Sequence, residues 1–406
     1  MAIAHGTHSY VPDAPRLVKN PFGGAPVWKL TRYDDVSAML VDRRFVTNSH
    51  ALPGGSDFYA EMLVQLGISE DVLPYLTGNL AHVGPEDHAR LRKLVSRAFT
   101  ARRVAKLRPQ VQKITHELLD ALPDRAVDGT ADLIEHFAYP LSITVICDLL
   151  GVPVEDRPLW RGWSEDTASM DPKRMNTMLV DMGAYVAELA GHRLANPSND
   201  LISALVQVND EDSGRLSDTE LITMVLTLMV AGHETTTHFI GNGIVALLTH
   251  PDQLARLRAD PELMPDAVQE LLRWCSPIVV TQQRFASEDI TIGGALIRRG
   301  ERVQAVLSAA NHDPDRYANP EVLDITRRPE NAGHPHLAYS HGAYYCLGAP
   351  LANQEAEAAF AAVFDRFPEL ALAVPQERLQ WRPQEDAHQL VELPVRLGPA
   401  RAAEAP

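Results

Sequence analysis

The apolar residues of this chain recur mostly with helical spacing. Five segments place apolar side chains three and four residues apart, as an amphipathic α-helix requires; they are residues 101–122, 174–195, 218–249, 264–274 and 351–367. Strand-like stretches lie at 27–30, 284–292, 302–306 and 390–397, and the pair Gly293-Gly294 predicts a hairpin turn. The pattern therefore predicts a mainly α-helical protein with minor β-structure.

The longest predicted helix covers residues 218–249. It begins after Ser217, and Glu220 follows three residues later, as in a capping box. In that motif the serine hydroxyl accepts a hydrogen bond from the backbone amide of the glutamate, and the glutamate carboxylate accepts one from the backbone amide of the serine. Pro251 ends the pattern. At a rise of about 1.5 Å per residue the helix is about 48 Å long, enough to cross an entire domain.

The centre of this helix reads Ala-Gly-His-Glu-Thr-Thr over residues 231–236. A carboxylate buried there costs several kcal/mol unless it is paired, protonated or hydrated. A polar contact between helices is one explanation. The alternative, which we favour, is functional: Glu234 beside Thr235, next to small residues, can hold waters and pass protons. Glu234 and Thr235 are therefore the candidate catalytic residues.

Composition limits the class of protein. The 29 prolines are scattered and no repeat is present, so we expect a single domain over 1–406 with loosely ordered tails at 1–20 and 399–406. Three cysteines cannot build a disulfide framework, and the N-terminus carries no signal peptide. The most apolar stretch, 222–232, is too short to span a membrane, and a net charge of −16 argues against nucleic acid. We expect a cytoplasmic monomer.

Cys346 lies in a loop with glycines on both sides, at Gly342 and Gly348, and a predicted helix follows. Backbone amides and the start of a helix favour a thiolate over a thiol. Structural burial does not explain the glycines, and a nucleophile based on His341 lacks a hydrolase signature. An axial iron ligand explains the glycines, the helix and the scarcity of other cysteines together.

The sequence resembles the cytochrome P450 family, in particular its soluble actinobacterial members, over residues 26–397. Four motifs carry the resemblance in the family's order. They are the oxygen-activation segment 231–236, the Glu-x-x-Arg pair Glu270 and Arg273 with the later Arg327, the His-x-x-x-Arg pair His88 and Arg92 with Arg284, and the ligand loop around Cys346.

The resemblance implies the cytochrome P450 fold, with a long central helix and heme b (iron protoporphyrin IX) between that helix and the Cys346 loop. It implies that Cys346 is the axial ligand of the iron. The residues expected to contact the heme are His88, Arg92, Ala231, Arg284, Tyr344, Cys346 and Gly348. Glu270, Arg273 and Arg327 have a structural role in the family.

The ligand loop departs from the family's usual pattern. Tyr339 and Ser340 stand where Phe-Gly is common, and Tyr344 stands where the family has histidine or arginine. His312 stands where an Asn-Arg-Asp motif common in the family has arginine. Tyr344 can offer a propionate a neutral hydrogen bond but no positive charge, so we expect an altered charge balance at the heme edge.

A run of cations stands out in this acidic chain. Residues 90–108 contain eight lysines and arginines and no acidic residue. Such a run is often just a solvated helix face. Because His88 and Arg92 place the same region near the heme, we interpret it as the docking face for an acidic ferredoxin, reduced by a ferredoxin reductase.

These features predict a monooxygenase that inserts one oxygen atom from O2 into a mid-sized, largely apolar secondary metabolite, such as a polyketide, macrolide or terpenoid. The candidate pocket residues are Leu80, Thr227, Val230, Val279, Val280 and Leu390. Three alternatives remain: an oxidative coupling enzyme on the same scaffold, a non-catalytic heme-binding module, and a cysteine hydrolase. The module would be expected to lack the acid–alcohol pair, and product analysis separates coupling from oxygen insertion.

Overall fold

The computed structural model describes residues 11–19, 25–52, 54–55, 57–169, 171–208, 214–328 and 335–401. The helices are α1 (Tyr33–Val41), α2 (Phe58–Gln65), α3 (Leu73–Thr77), α4 (Pro85–Ala98), α5 (Ala101–Arg125), α6 (Tyr139–Leu150), α7 (Arg157–Ala168), α8 (Pro172–Ala195), α9 (Leu201–Gln207), α10 (Asp218–Thr249), α11 (Pro251–Ala259), α12 (Met264–Cys275), α13 (Leu307–Ala310) and α14 (Ala349–Arg366). The strands are β1 (Arg16–Val18), β2 (Val27–Leu30), β3 (Phe45–Val46), β4 (Thr130–Asp132), β5 (Arg284–Ala286), β6 (Ile290–Ile292), β7 (Ala295–Ile297), β8 (Arg302–Ala305), β9 (Ala371–Leu372) and β10 (Pro394–Arg396).

The strands form small sheets at the edge of a helical body. One sheet has the order β1-β2-β8-β5-β3, with β2 and β8 parallel, and a second has the order β4-β10-β9. The predicted hairpin is confirmed: Ile292 pairs with Ala295 across Gly293 and Gly294, which both take positive φ. The predicted strand over 284–292 is two strands, β5 and β6, because a bend at 287–288 separates them.

The long helix α10 has the predicted bounds. Ser217 Oγ accepts from the amide of Glu220 at 3.2 Å, and Glu220 Oε2 accepts from the amide of Ser217 at 2.8 Å, so the capping box is confirmed. α10 packs against α3, α6, α12 and α14, and most of its side chains are buried. The helix is therefore the centre of the main core, as predicted.

The predicted tails fall partly outside the described residues, which exclude 1–10, 20 and 402–406. Within the N-terminal segment, β1 pairs with β2. At the other end, the amide of Arg401 donates to the carbonyl of Arg366 at 2.9 Å. In the described part of the chain, no helix combines the length and the apolar character that crossing a membrane demands.

Candidate active site

The loop before α14 holds Cys346 in an amide-rich turn. The amide of Cys346 donates to the carbonyl of Tyr339 at 2.9 Å. Burial raises the pKa of the Cys346 thiol, whereas hydrogen bonds from the amides of Gly348 and Ala349 and the charge of Arg92 lower it. Burial is the larger influence, so the pKa of the thiol is raised overall, and the two amides and Arg92 offset part of that rise.

Two residues of this loop take a left-handed backbone conformation. Gly342 has φ +70°, and a Cβ there would lie 2.9 Å from Val41 Cγ1, so glycine is required. Ser340 has φ +63° and is one of three non-glycine residues with positive φ among those the structure describes. Ser340 stands where the family commonly has glycine, and holding serine in this conformation costs about 1 kcal/mol or more.

Two exposed residues stand out on the Cys346 loop and on α10. Cys346 is exposed, although burial is the main influence on its pKa. Ala231 is likewise exposed in the middle of the otherwise buried α10, and Thr235 Oγ1 donates to its carbonyl at 2.7 Å. An exposed thiol on one element and an exposed small residue on the other fit a flat cofactor between α10 and the Cys346 loop.

A cluster of cations lies beside the thiol. The ring of Tyr344 stacks on His88, with centroids 4.0 Å apart, and Arg284 Cζ lies 4.7 Å from the Tyr344 centroid. Burial lowers the pKa of His88, and the charges of Arg92 and Arg284 lower it further. Burial also lowers the pKa of both arginines. His88, Arg92, Arg284 and Tyr344 therefore lie together, as predicted from the resemblance.

Carbonyl groups are the partners of the two arginines in this cluster. Arg92 donates to the carbonyl of Tyr345 at 2.7 Å, and Arg284 donates to that of Leu40 at 3.1 Å. Within the described ranges, neither arginine forms an ion pair with a carboxylate. Buried cations need negative partners. The two propionates of heme would supply them, so the residues present fit this cofactor.

A second ion cluster consists of Glu270, Arg273 and Arg327, and its charges are paired within the protein. Glu270 accepts from Arg273 at 2.7 and 2.8 Å and from Arg327 Nε at 3.1 Å. Arg273 also donates to the carbonyls of Asn311 and Pro320, both at 2.8 Å. The Glu-x-x-Arg pair and the later arginine are thus in contact, as the resemblance to the family implies.

Glu234 and Thr235 are neighbours on α10, but in this structure they have different partners. Thr235 donates within the helix, whereas Glu234 Oε1 accepts from Gln389 Nε2 at 3.3 Å and lies 3.9 Å from Arg382 Nη1. Arg382 was missed by the sequence analysis. It follows Glu234 by about 150 residues, so no local pattern could connect them.

The predicted pocket residues fall into two groups. Leu80, Thr227 and Val230 are half-buried, and Val230 also lines a cavity beside α10. Val279, Val280 and Leu390 are almost completely buried among other side chains. Contact of these six residues with a substrate stays a prediction.

The run of cations at 90–108 is partly neutralised. Arg90 pairs with Glu220, and Arg108 pairs with Glu357 of α14 at 3.0 Å. The side chains that remain exposed along α4 and the start of α5 include Lys93, Arg97, Arg102 and Lys106. A basic face thus persists on the surface next to the elements that carry His88 and Arg92.

Comparison with known proteins identifies the family. The sequence model described as Cytochrome P450 matches residues 180–387. The chain is 40% identical to 6-deoxyerythronolide B hydroxylase of Saccharopolyspora erythraea, over 93% of this chain and 91% of that protein. It is 38% identical to mycinamicin IV hydroxylase/epoxidase of Micromonospora griseorubida, over 93% and 91% of the two chains. The solved structure of cytochrome P450 PksS from Bacillus subtilis 168 superposes with a TM-score of 0.83 at 35% identity, over 95% of this chain and 94% of that one.

This chain therefore belongs to the cytochrome P450 family. It has the P450 fold and is a monooxygenase of that family, with heme as its cofactor. Members of the family use O2, an organic substrate and a redox partner.

Proposed function

We propose that this monooxygenase hydroxylates or epoxidises a mid-sized, largely apolar secondary metabolite, in the first place a polyketide or macrolide. Three relatives support this, since their names specify hydroxylation of 6-deoxyerythronolide B, hydroxylation or epoxidation of mycinamicin IV, and polyketide biosynthesis. Leu80, Val230, Val279, Val280 and Leu390 give the candidate pocket an apolar character, and Thr227 adds one hydroxyl. A terpenoid would fit the same character.

The observation that carries the proposed site is the exposed Cys346 beside two arginines that, over the part of the chain that the structure describes, have no carboxylate partner. Cys346 would bind the iron as a thiolate, with the amide of Gly348 directed at the sulfur. His88, Arg92, Arg284 and Tyr344 would bind the propionates. When bound, heme would supply the chemistry that inserts one atom of O2 into the substrate, while two electrons from the donor and two protons convert the other atom to water.

Proton delivery falls to Glu234 and Thr235. The carboxylate of Glu234 is half-exposed and can exchange protons with water, and the hydroxyl of Thr235 lies one residue further along α10, beside the exposed Ala231. Glu234 holds the proton, and Thr235 orients water on the cofactor side of the helix. The alternative of a non-catalytic heme-binding module does not call for this pair.

The basic face of α4 and α5 is the proposed docking site of an acidic ferredoxin, and the enzyme acts as a cytoplasmic monomer. Arg102 and Lys106 are better probes than Arg103, because Arg103 donates to the carbonyl of Asp200 and so joins α5 to α9. Changing Arg102 and Lys106 to glutamate should slow reduction by ferredoxin at low salt, with a weaker dependence on salt. Equal rates in variant and parent would contradict the docking site.

The thiolate assignment is tested by Cys346→Ser, with Cys275→Ser as the matched control on a buried cysteine. Cys346→Ser should lose the thiolate signature in the spectrum of the reduced carbon-monoxide complex, and Cys275→Ser should keep it. A signature that survives in Cys346→Ser would contradict the ligand. Substrate class is tested separately, by spectral shifts of the heme with a panel of macrolides, linear polyketides and terpenoids, followed by product analysis that also detects coupled products.

A further inference from the structure

A second cavity of this protein is a groove along α14. It has a volume of about 570 Å³ and is bounded by α5, α11, α14 and the start of α12. Small-molecule pockets commonly measure about 300–1,000 Å³. The groove lies along the second half of α14, whereas the Cys346 loop precedes the first turn of that helix. We call it the α14 groove. None of the described residues that line it belongs to the candidate heme site.

The floor of the α14 groove is apolar. Leu254 and Leu257 of α11 and Phe360 and Phe364 of α14 line it and are almost completely buried. Small side chains on the same wall, such as that of Ala361, leave the space above them open. A floor of this kind favours a ligand with a hydrocarbon chain, because each methylene group that it covers is removed from water.

The charged side chains at the rim of the groove differ in their partners. Asp365 and Arg401 pair with each other at 3.3 Å. Arg258 Nη2 donates to the carbonyl of Pro368 at 2.8 Å, and Arg258 Cζ lies 5.9 Å from the centre of the Phe364 ring. Within the part of the chain that the structure describes, no carboxylate pairs with Arg258. Its guanidinium is therefore the charged group of this rim that is available to an anionic ligand.

A purely structural explanation is that Arg258 holds the chain after α14 through the carbonyl of Pro368. That contact uses one of the five N–H donors of a guanidinium, and a carboxylate can accept two others side by side. A ligand with several negative charges would bring more charge than Arg258 offsets. An uncharged hydrocarbon would leave the guanidinium without an anion. A monocarboxylate with a long apolar chain matches both the floor and the rim of the groove.

We propose that the α14 groove is a second ligand site, which binds a free long-chain fatty acid with its chain on the apolar floor and its carboxylate on Arg258. This ligand is distinct from the substrate that the enzyme oxidises, because the groove is lined by other residues than the candidate active site. Arg258 is exposed, so its charge contributes modestly and the apolar floor supplies most of the affinity.

The site is tested with cis-parinaric acid, a fluorescent long-chain fatty acid, on the heme-bound protein with an azole inhibitor on the iron. The azole blocks the substrate pocket, so the fluorescence reports on binding elsewhere. The parent should bind the acid saturably. Ala361→Trp fills the groove from an exposed position and should weaken binding at least ~10-fold, whereas Ala255→Trp, exposed on α11 but outside the groove, should bind like the parent. No binding by the parent, or equal affinity in Ala361→Trp, would overturn the site.

The role of Arg258 is tested by Arg258→Gln, with Arg256→Gln as the matched control on the same helix. Arg256 is also exposed, but it lies 3.6 Å from Asp324 and does not line the groove. Arg258→Gln should weaken binding of cis-parinaric acid about 3- to 5-fold and leave binding of its uncharged methyl ester unchanged, whereas Arg256→Gln should change neither. An equal loss for acid and ester would overturn the contact with the carboxylate.

Sedimentation velocity tests a second copy of this chain as the occupant of the groove. The parent should sediment in the same way with and without cis-parinaric acid. A dimer of the parent that Ala361→Trp abolishes and that the fatty acid does not dissociate would overturn the proposal.

Discussion

Two buried arginines of this protein differ in their surroundings. Arg273 and Arg284 are 2% and 5% exposed. Arg273 has the carboxylate of Glu270 and two carbonyls at 2.7–2.8 Å. Among the described residues, Arg284 has longer contacts with two carbonyls and lies over the face of Tyr344. A buried arginine that is paired with a carboxylate of the protein contributes to the fold. We expect a buried arginine without such a carboxylate to bind an anion from outside the chain.

The largest effect, a loss of stability, is expected when Arg273 is removed from its cluster with Glu270 and Arg327. Arg273→Met leaves the buried carboxylate of Glu270 with Arg327 as its remaining cation, so the free energy of unfolding should fall by ~3–5 kcal/mol, with or without heme. Urea unfolding measures this, with the exposed Arg328→Met as control, for which a change within about 0.5 kcal/mol is expected. A loss as small as that of the control would remove the distinction between the two arginines.

Substitution of Arg284 is expected to weaken heme binding and to have little effect on stability. Because its burial is not offset by a carboxylate, Arg284→Met should leave the unfolding free energy of the apoprotein within about 1 kcal/mol of the parent or raise it. Heme affinity should fall about 10- to 100-fold, since a hydrogen bond to a charged group contributes about 1.5–3 kcal/mol. Stability is read from unfolding of the apoprotein and affinity from heme transfer to a competing apoprotein. An apoprotein destabilised as strongly as Arg273→Met would make Arg284 a structural residue too.

The smallest effect is expected at Tyr344. Its ring lies against His88 and Arg284, and its hydroxyl is 3.4 Å from Thr47 Oγ1, so it adds no charge to the cluster. Tyr344→Arg adds a cation beside the propionates and should raise the heme reduction potential by tens of millivolts, or ~1 kcal/mol at an effective dielectric constant near 20. Tyr344→Phe keeps the stacked ring and should leave the potential near that of the parent. Spectroelectrochemical titration decides, and an unchanged or lower potential in Tyr344→Arg would contradict the expectation.

What could be predicted from the sequence depends on whether a feature is set by neighbouring residues or by residues far apart in the chain. The capping box at Ser217, the hairpin at Gly293 and Gly294, and the bounds of α10 follow from local patterns, which act within a few residues. His88, Arg92 and Arg284 were placed together through resemblance to the family, because chain spacing alone does not bring residues 88 and 284 into contact.

The contacts of Glu234 could not be predicted in this way. Its partners Arg382 and Gln389 lie in the segment between β9 and β10, whose path depends on tertiary packing. The cavity beside α10 has the same origin, since α7, α10 and the C-terminal segment each supply part of its wall. Ser340 is a different case, because its backbone takes the positive φ that favours glycine although the residue is serine.

The central claim is that Arg92 and Arg284 bind the propionates of heme, and two forms of the cofactor test it most directly. The apoprotein is titrated with heme and with its dimethyl ester, which carries no carboxylates, in the parent and in Arg92→Gln/Arg284→Gln. The parent should bind heme ~100-fold or more tightly than the ester, and the double variant should lose most of that preference. An equal preference in both proteins would show that the propionates bind elsewhere and would contradict the account.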